Sequence, residues 1–161
     1  MTQAKTLLRV TVLLITAISF APSFAHVLEA YPRLVKFQPE LWREATVFQG
    51  QYQLFGMLGG PVDIAAVCLT AVWAYVTRSD RDTFRLALAG AILFALGLAA
   101  WLTIVSPANG ALAHWSPGPL PPDFTQVRDR WELGHMVVAG LKLIGLICVD
   151  LAVLCFKPTA R

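Results

Sequence analysis

Four apolar runs separated by polar segments set the pattern of this chain, over residues 6–28, 52–76, 84–105 and 133–156. A helix needs about 20 residues to cross a hydrocarbon core, and each run reaches that length. The pattern predicts an all-α fold, a four-helix transmembrane bundle forming a single integral membrane domain over 1–161. Between the runs lie a polar segment over 29–51, a charged turn from Thr77 to Asp82, and a Pro-rich loop from Ser106 to Arg130. No separate soluble domain fits between them.

Composition agrees with a lipid environment: 57% of residues are hydrophobic and 14% charged, against about 25% charged in soluble domains. The net charge of +3 is spread over several segments. No basic block is present to track a phosphate backbone, which argues against nucleic acid as a partner. Cys68, Cys148 and Cys155 lie inside apolar runs without CxxC spacing, so they read as free thiols in the bundle or against lipid. Lys5, Arg9, Arg78, Arg81, Arg85, Lys157 and Arg161 gather at one set of helix ends; Arg33, Lys36, Arg43, Arg128 and Arg130 fall at the other. The positive-inside rule then expects both termini in the cytoplasm and the protein in the plasma (inner) membrane. Lys5, Arg9 and the Ser23-Phe24-Ala25 sequence also fit a cleaved signal peptide. The apolar run continues past that site, which favours a retained span.

Charged residues inside a membrane helix are costly unless they face a partner or the bundle interior. At about 100° per residue, Glu132, His135, Lys142 and Asp150 fall within one arc of about 80° on the fourth helix. That arc is expected to point inward. On the second helix Gln49, Tyr52, Gly56, Gly59, Asp63 and Thr70 form a narrow stripe. Gly56-x-x-x-Gly60 reads as a close-packing motif, and Pro61 as a kink. Counted from the helix ends, Asp63 and Lys142 reach nearly the same depth, so they are expected to form an ion pair that locks the bundle or relays protons.

Near the non-cytoplasmic ends, His26 and Glu29 are three residues apart, and so are Glu132 and His135. Each pair shares a helix face. Glu/His pairs at this spacing are found in carboxylate metal sites of helix bundles. One transition-metal ion held by His26, Glu29, Glu132 and His135 is one expectation, and a bis-histidine haem a weaker one. The other is a hydrogen-bonded cluster without a cofactor, completed by Asn109 or Gln49. His114 reads as an exposed loop histidine. Trp42, Trp115, Trp131, Tyr31 and Tyr52 read as an interfacial aromatic belt, some of which also line a pocket.

The run His26-Val-Leu-Glu29, then Asn109 and Trp115, then Arg128-Asp-Arg-Trp131-Glu132-Leu-Gly-His135 resembles, in order and spacing, the small four-helix membrane protein family of unknown function that includes the anthrone oxygenases. The resemblance covers nearly the whole chain. It implies oxidation of a flat phenolic aromatic by dioxygen to a quinone. His135 would remove the proton, Glu132 would orient it, Asn109 would stabilise the enolate, and Trp115 or Trp131 would pack the ring. Such chemistry can in principle proceed with or without a metal.

The sequence thus supports a membrane oxidoreductase or oxygenase-like protein acting on an apolar aromatic or quinone-like molecule from the lipid, with Tyr52 and Gln49 beside the substrate. The alternative is a non-catalytic lipid-binding or complex-assisting membrane protein whose polar cluster only locks the bundle. Transport is a weaker third, because no internal repeat is evident.

Overall fold

The computed structural model describes residues 3–50 and 52–156, apart from the side chain of Gln53; Lys157 and Arg161, counted above for topology, lie outside the described residues. Among those residues every regular element is helical. Helix α1 covers Gln3–Tyr31 and continues through a π-helical turn, Pro32–Lys36. A short α2, Pro39–Arg43, runs into a second π turn, Glu44–Phe48. Then come α3, Gln53–Thr77, and α4, Arg81–Ala100. A third π turn, Trp101–Val105, leads into α5, Ser106–Leu112, and α6 covers Phe124–Cys155.

Four stretches are long and apolar enough to cross a membrane: Gln3–Lys36, Leu54–Thr77, Arg81–Leu112 and Phe124–Cys155. Three run beyond the lengths expected from hydropathy. The first extends into what reads as a polar loop, and the third passes 105 to Leu112. The fourth starts at Phe124, because Phe124, Trp131 and Glu132 are buried and the polar residues between them face outward on the same helix. Leu14, Ile18, Ile64, Leu88, Ile92, Ile144 and Ile147 are exposed around the bundle, a surface suited to lipid chains. The free thiols of Cys68 and Cys155 are exposed too, and that of Cys148 is half-buried.

Local chemistry explains the helix ends. Asp80 caps α4: its Oδ1 accepts from the Thr83 amide at 3.3 Å and its Oδ2 from the Thr83 hydroxyl at 2.9 Å. Pro32, Pro39 and Pro107 sit in first turns, where the missing N–H costs nothing. Pro22 and Pro61 lie inside α1 and α3, where each removes an intrahelical hydrogen bond. The buried hydroxyls of Thr16, Thr70 and Thr77 donate to carbonyls four residues back, at 2.7–2.8 Å.

Two seams of the bundle differ in tightness. Between α4 and α6, glycines set the approach. A Cβ on Gly90 would lie 2.5 Å from Val149 Cγ2 and 3.1 Å from the Gly145 carbonyl; one on Gly134 would lie 2.8 Å from Val105 Cγ2. Gly56, Gly59 and Gly60 behave oppositely. A Cβ on any of them would meet nothing within 4 Å. The close-packing role expected of Gly56-x-x-x-Gly60 is therefore corrected: this stripe borders open space.

Candidate functional site

The site is built at the end of the bundle where α1, α3 and α6 meet the π turns. Its organiser is Arg33, which is 3% exposed. The Arg33 fork grips Glu132: Nε donates to Oε1 at 2.7 Å and Nη2 to Oε2 at 2.8 Å. Nη1 donates to Glu29 at 2.9 Å and to the Tyr52 hydroxyl, and Nη2 also donates to the His26 carbonyl at 3.0 Å. Trp42 Nε1 donates to Glu132 Oε1 at 2.9 Å, and the Tyr52 hydroxyl donates to Glu29. A bidentate guanidinium–carboxylate pair with its remaining polar atoms satisfied is the arrangement in which a buried charge pair persists.

Directly beneath this network the imidazoles of His26 and His135 stack, centroids 3.9 Å apart at 18°. Trp131 meets His135 edge-on at 4.5 Å, and Tyr52 leans on His26 at 4.7 Å. No hydrogen bond among the described residues engages either imidazole, and His26 Nδ1 is buried without a partner. Both rings line a cavity of about 100 Å³ that also takes in Tyr52, Asn109 and Trp131. That is several times the roughly 10–15 Å³ one water needs. Asn109 Oδ1 accepts from Trp131 Nε1 at 2.8 Å, and no hydrogen bond among the described residues occupies its Nδ2.

The cavity continues past Gly56, Gly59 and Gly60 to Asp63 and Lys142. Lys142 Nζ donates to Asp63 Oδ1 at 2.7 Å, to the Ser19 carbonyl at 3.1 Å and to Ser23 Oγ at 3.2 Å. Ser19 Oγ donates to the same Asp63 oxygen at 2.7 Å. All three ammonium protons have partners, while Asp63 Oδ2 has none among the described residues. Lys142 lies two turns, about 10 Å, along α6 from His135, so the cavity has polar groups at both ends.

Several roles expected of individual residues change in light of this geometry. Glu132 does not orient His135, because Arg33 and Trp42 take both its oxygens. Trp115, in the Pro-rich loop, stacks on Phe124 and meets Trp42 edge-on, outside the cavity lining. Gln49 is exposed and donates to Glu44 at 2.8 Å, away from the cavity. Trp42 and Trp131 are buried anchors, not belt residues, whereas Tyr31 is exposed. Asp150 is half-buried and unpaired among the described residues.

The metal set His26, Glu29, Glu132 and His135 does not fit a shared ion. Stacked rings hold their in-plane nitrogens side by side instead of converging on one point, and Arg33 and its neighbours consume both carboxylates. Among the described residues no three His, Cys, Asp or Glu side chains form a metal-binding group. The same stacking leaves no room for a haem between the rings.

Arg33 and Arg43 escape a reading of the sequence, in which they look like loop charges. Arg43 is buried and ties down the Pro-rich loop, donating to the carbonyls of Gly118 at 2.6 Å and Pro119 at 3.0 Å. Gly118 has φ +130°, a conformation only glycine adopts readily. The usable signals are Glu29-x-x-x-Arg33 at helical spacing and Pro32 and Pro39 as helix-starting residues within the supposed loop. Comparison of the chain with protein families, with curated proteins and with solved structures finds no match.

Proposed function

We propose that this chain is a membrane oxidoreductase, similar in activity to the anthrone oxygenases, that takes an apolar phenolic or quinone-like ring into the cavity beside His26 and His135. The observation that carries this reading is the imidazole pair: buried, stacked, facing a cavity, and without a hydrogen-bond partner among the described residues. Buried polar atoms left unpaired are costly. A ring hydroxyl or carbonyl has the chemistry to meet them. Trp131 and Tyr52 offer aromatic faces, and Asn109 Nδ2 can donate to a developing oxyanion.

In this reading His135 accepts a proton from the ring system, and the electron pair left behind passes to dioxygen. For a ring methylene, one oxygen atom becomes the new carbonyl and the other leaves as water with the two hydrogens; for a benzoquinol, two electrons and both hydroxyl protons pass to dioxygen, giving the quinone and hydrogen peroxide. Glu132 acts only through Arg33 and Trp42, as a positioning residue. Both termini are assigned to the cytoplasmic side of the plasma membrane, supported by Lys5, Arg9, Arg78, Arg81 and Arg85. An engineered cysteine at Asp80 should then resist an impermeant reagent in intact cells. Rapid labelling would reverse the orientation.

The test of activity is oxygen uptake by the purified protein with an anthrone and with a tailless benzoquinol. Uptake should depend on protein and fall by about 100-fold or more in His135→Ala, with helix content and thermal midpoint kept. Equal rates in wild type and variant would overturn the reading.

A further inference from the structure

The α1/α3 seam carries a second opening, a groove of about 450 Å³ on the outer face of the bundle. Ile18, Ala25, Leu54, Leu58 and Val62 make its walls, which are almost wholly apolar. Pro22, Phe55 and Gly59 line both this groove and the polar cavity. Ser19 lines the groove as well and donates to Asp63. The groove thus adjoins the site across Pro22, Phe55 and Gly59, at the depth of the ion pair.

We infer that the groove seats the hydrocarbon tail of the molecule whose ring occupies the His26/His135 cavity, so that the ligand is a tailed amphiphile with an uncharged aromatic head reaching the site sideways from the bilayer. The inference rests on the function proposed above and adds the class of ligand and its route. Three features support it. The opposite seam, α4 against α6, is closed by glycines whose Cβ positions are already filled, whereas Gly59, which lines both the groove and the polar cavity, has nothing within 4 Å of its Cβ position. Both flanking helices contain an internal proline near the opening, Pro22 and Pro61, which frees each helix from one backbone hydrogen bond there. Asp63 and Lys142 neutralise each other at 2.7 Å, so the inner end of the cavity offers hydrogen bonds without net charge.

A tail moving from lipid into this groove gains no hydrophobic free energy, because acyl chains are as apolar as leucine. Its seat therefore shows in location more than in affinity. The test uses the full chain in lipid nanodiscs with a benzoquinone carrying a decyl tail and a diazirine on that tail. After irradiation, adducts should concentrate on residues 18–25 and 54–62. Ala25→Phe, which fills the groove, and Gly59→Leu, which fills the doorway where a Cβ meets nothing, should each cut those adducts by about tenfold. Adducts spread over the outward residues Leu88, Ile92 and Ile147, or unchanged by both variants, would overturn the tail seat. Oxygen uptake with the tailless quinol keeps the two readings apart. Groove adducts without any turnover would leave the seat standing and remove the oxidoreductase; turnover with scattered adducts would do the reverse.

Discussion

Replacing Arg33 by methionine removes the centre of the buried network while roughly keeping the volume of its stem. Glu132, which is 2% exposed, would then keep only Trp42 Nε1 as a donor among the described residues. Stranding one member of a buried ion pair costs about 3–5 kcal/mol. At roughly 2–4 °C per kcal/mol for a chain of this size, the midpoint should fall by about 10 °C. Arg33→Met combined with Glu132→Leu removes both charges. Its loss should be smaller than that of Arg33→Met alone, since Glu29, the remaining carboxylate, is 41% exposed and can take solvent instead. A coupling of about 2 kcal/mol or more between the two sites is expected. Thermal unfolding of wild type, both single variants and the double variant, followed by circular dichroism in one detergent at fixed concentration, measures it. Additive losses would refute the network as drawn.

Asp63→Asn and Lys142→Met should each destabilise by about 3–5 kcal/mol and the double variant by less, because either single change leaves a buried charge alone; the same melts check this. Gly90→Ala should cost about 1–3 kcal/mol by pushing Val149 and the Gly145 carbonyl of α6 away from α4. Gly56→Ala should be neutral or gain up to about 1 kcal/mol, because its Cβ meets open space and alanine favours helix. Arg43→Ala should free the Pro-rich loop from its anchored carbonyls, seen as faster amide exchange over 113–123 with the bundle core unchanged.

Much of the architecture is legible in the sequence because lipid imposes a simple rule: a span must be long, helical and apolar. That rule gives four spans and makes Asp63 and Lys142 conspicuous, and the fixed rise per residue sets both at one depth. It misreads segments where helices continue beyond the apolar run. Residues 29–51 look like a loop by composition, yet Arg33 and Trp42 turn inward because Glu132, about a hundred residues away in the chain, offers a carboxylate to both. Periodicity cannot supply a long-range partner. The same limit affects Gly56 and Gly60, since spacing shows that two small residues share a face but not whether a helix or a cavity lies opposite. The Glu/His pairs lie on inward faces, yet what each carboxylate grips depends on Arg33, a residue hydropathy assigns to the surface.

A ring seated against His26 and His135 can be read directly, because the chain has three histidines. With ¹⁵N-histidine-labelled protein in detergent, titration with a tailless benzoquinone should move the ring-nitrogen signals of His26 and His135 together, with one saturation curve, and leave the exposed His114 unmoved. His26→Ala and His135→Ala assign the signals. Saturating shifts at His114 alone, or no shift at either stacked histidine while the protein remains folded, would contradict the account.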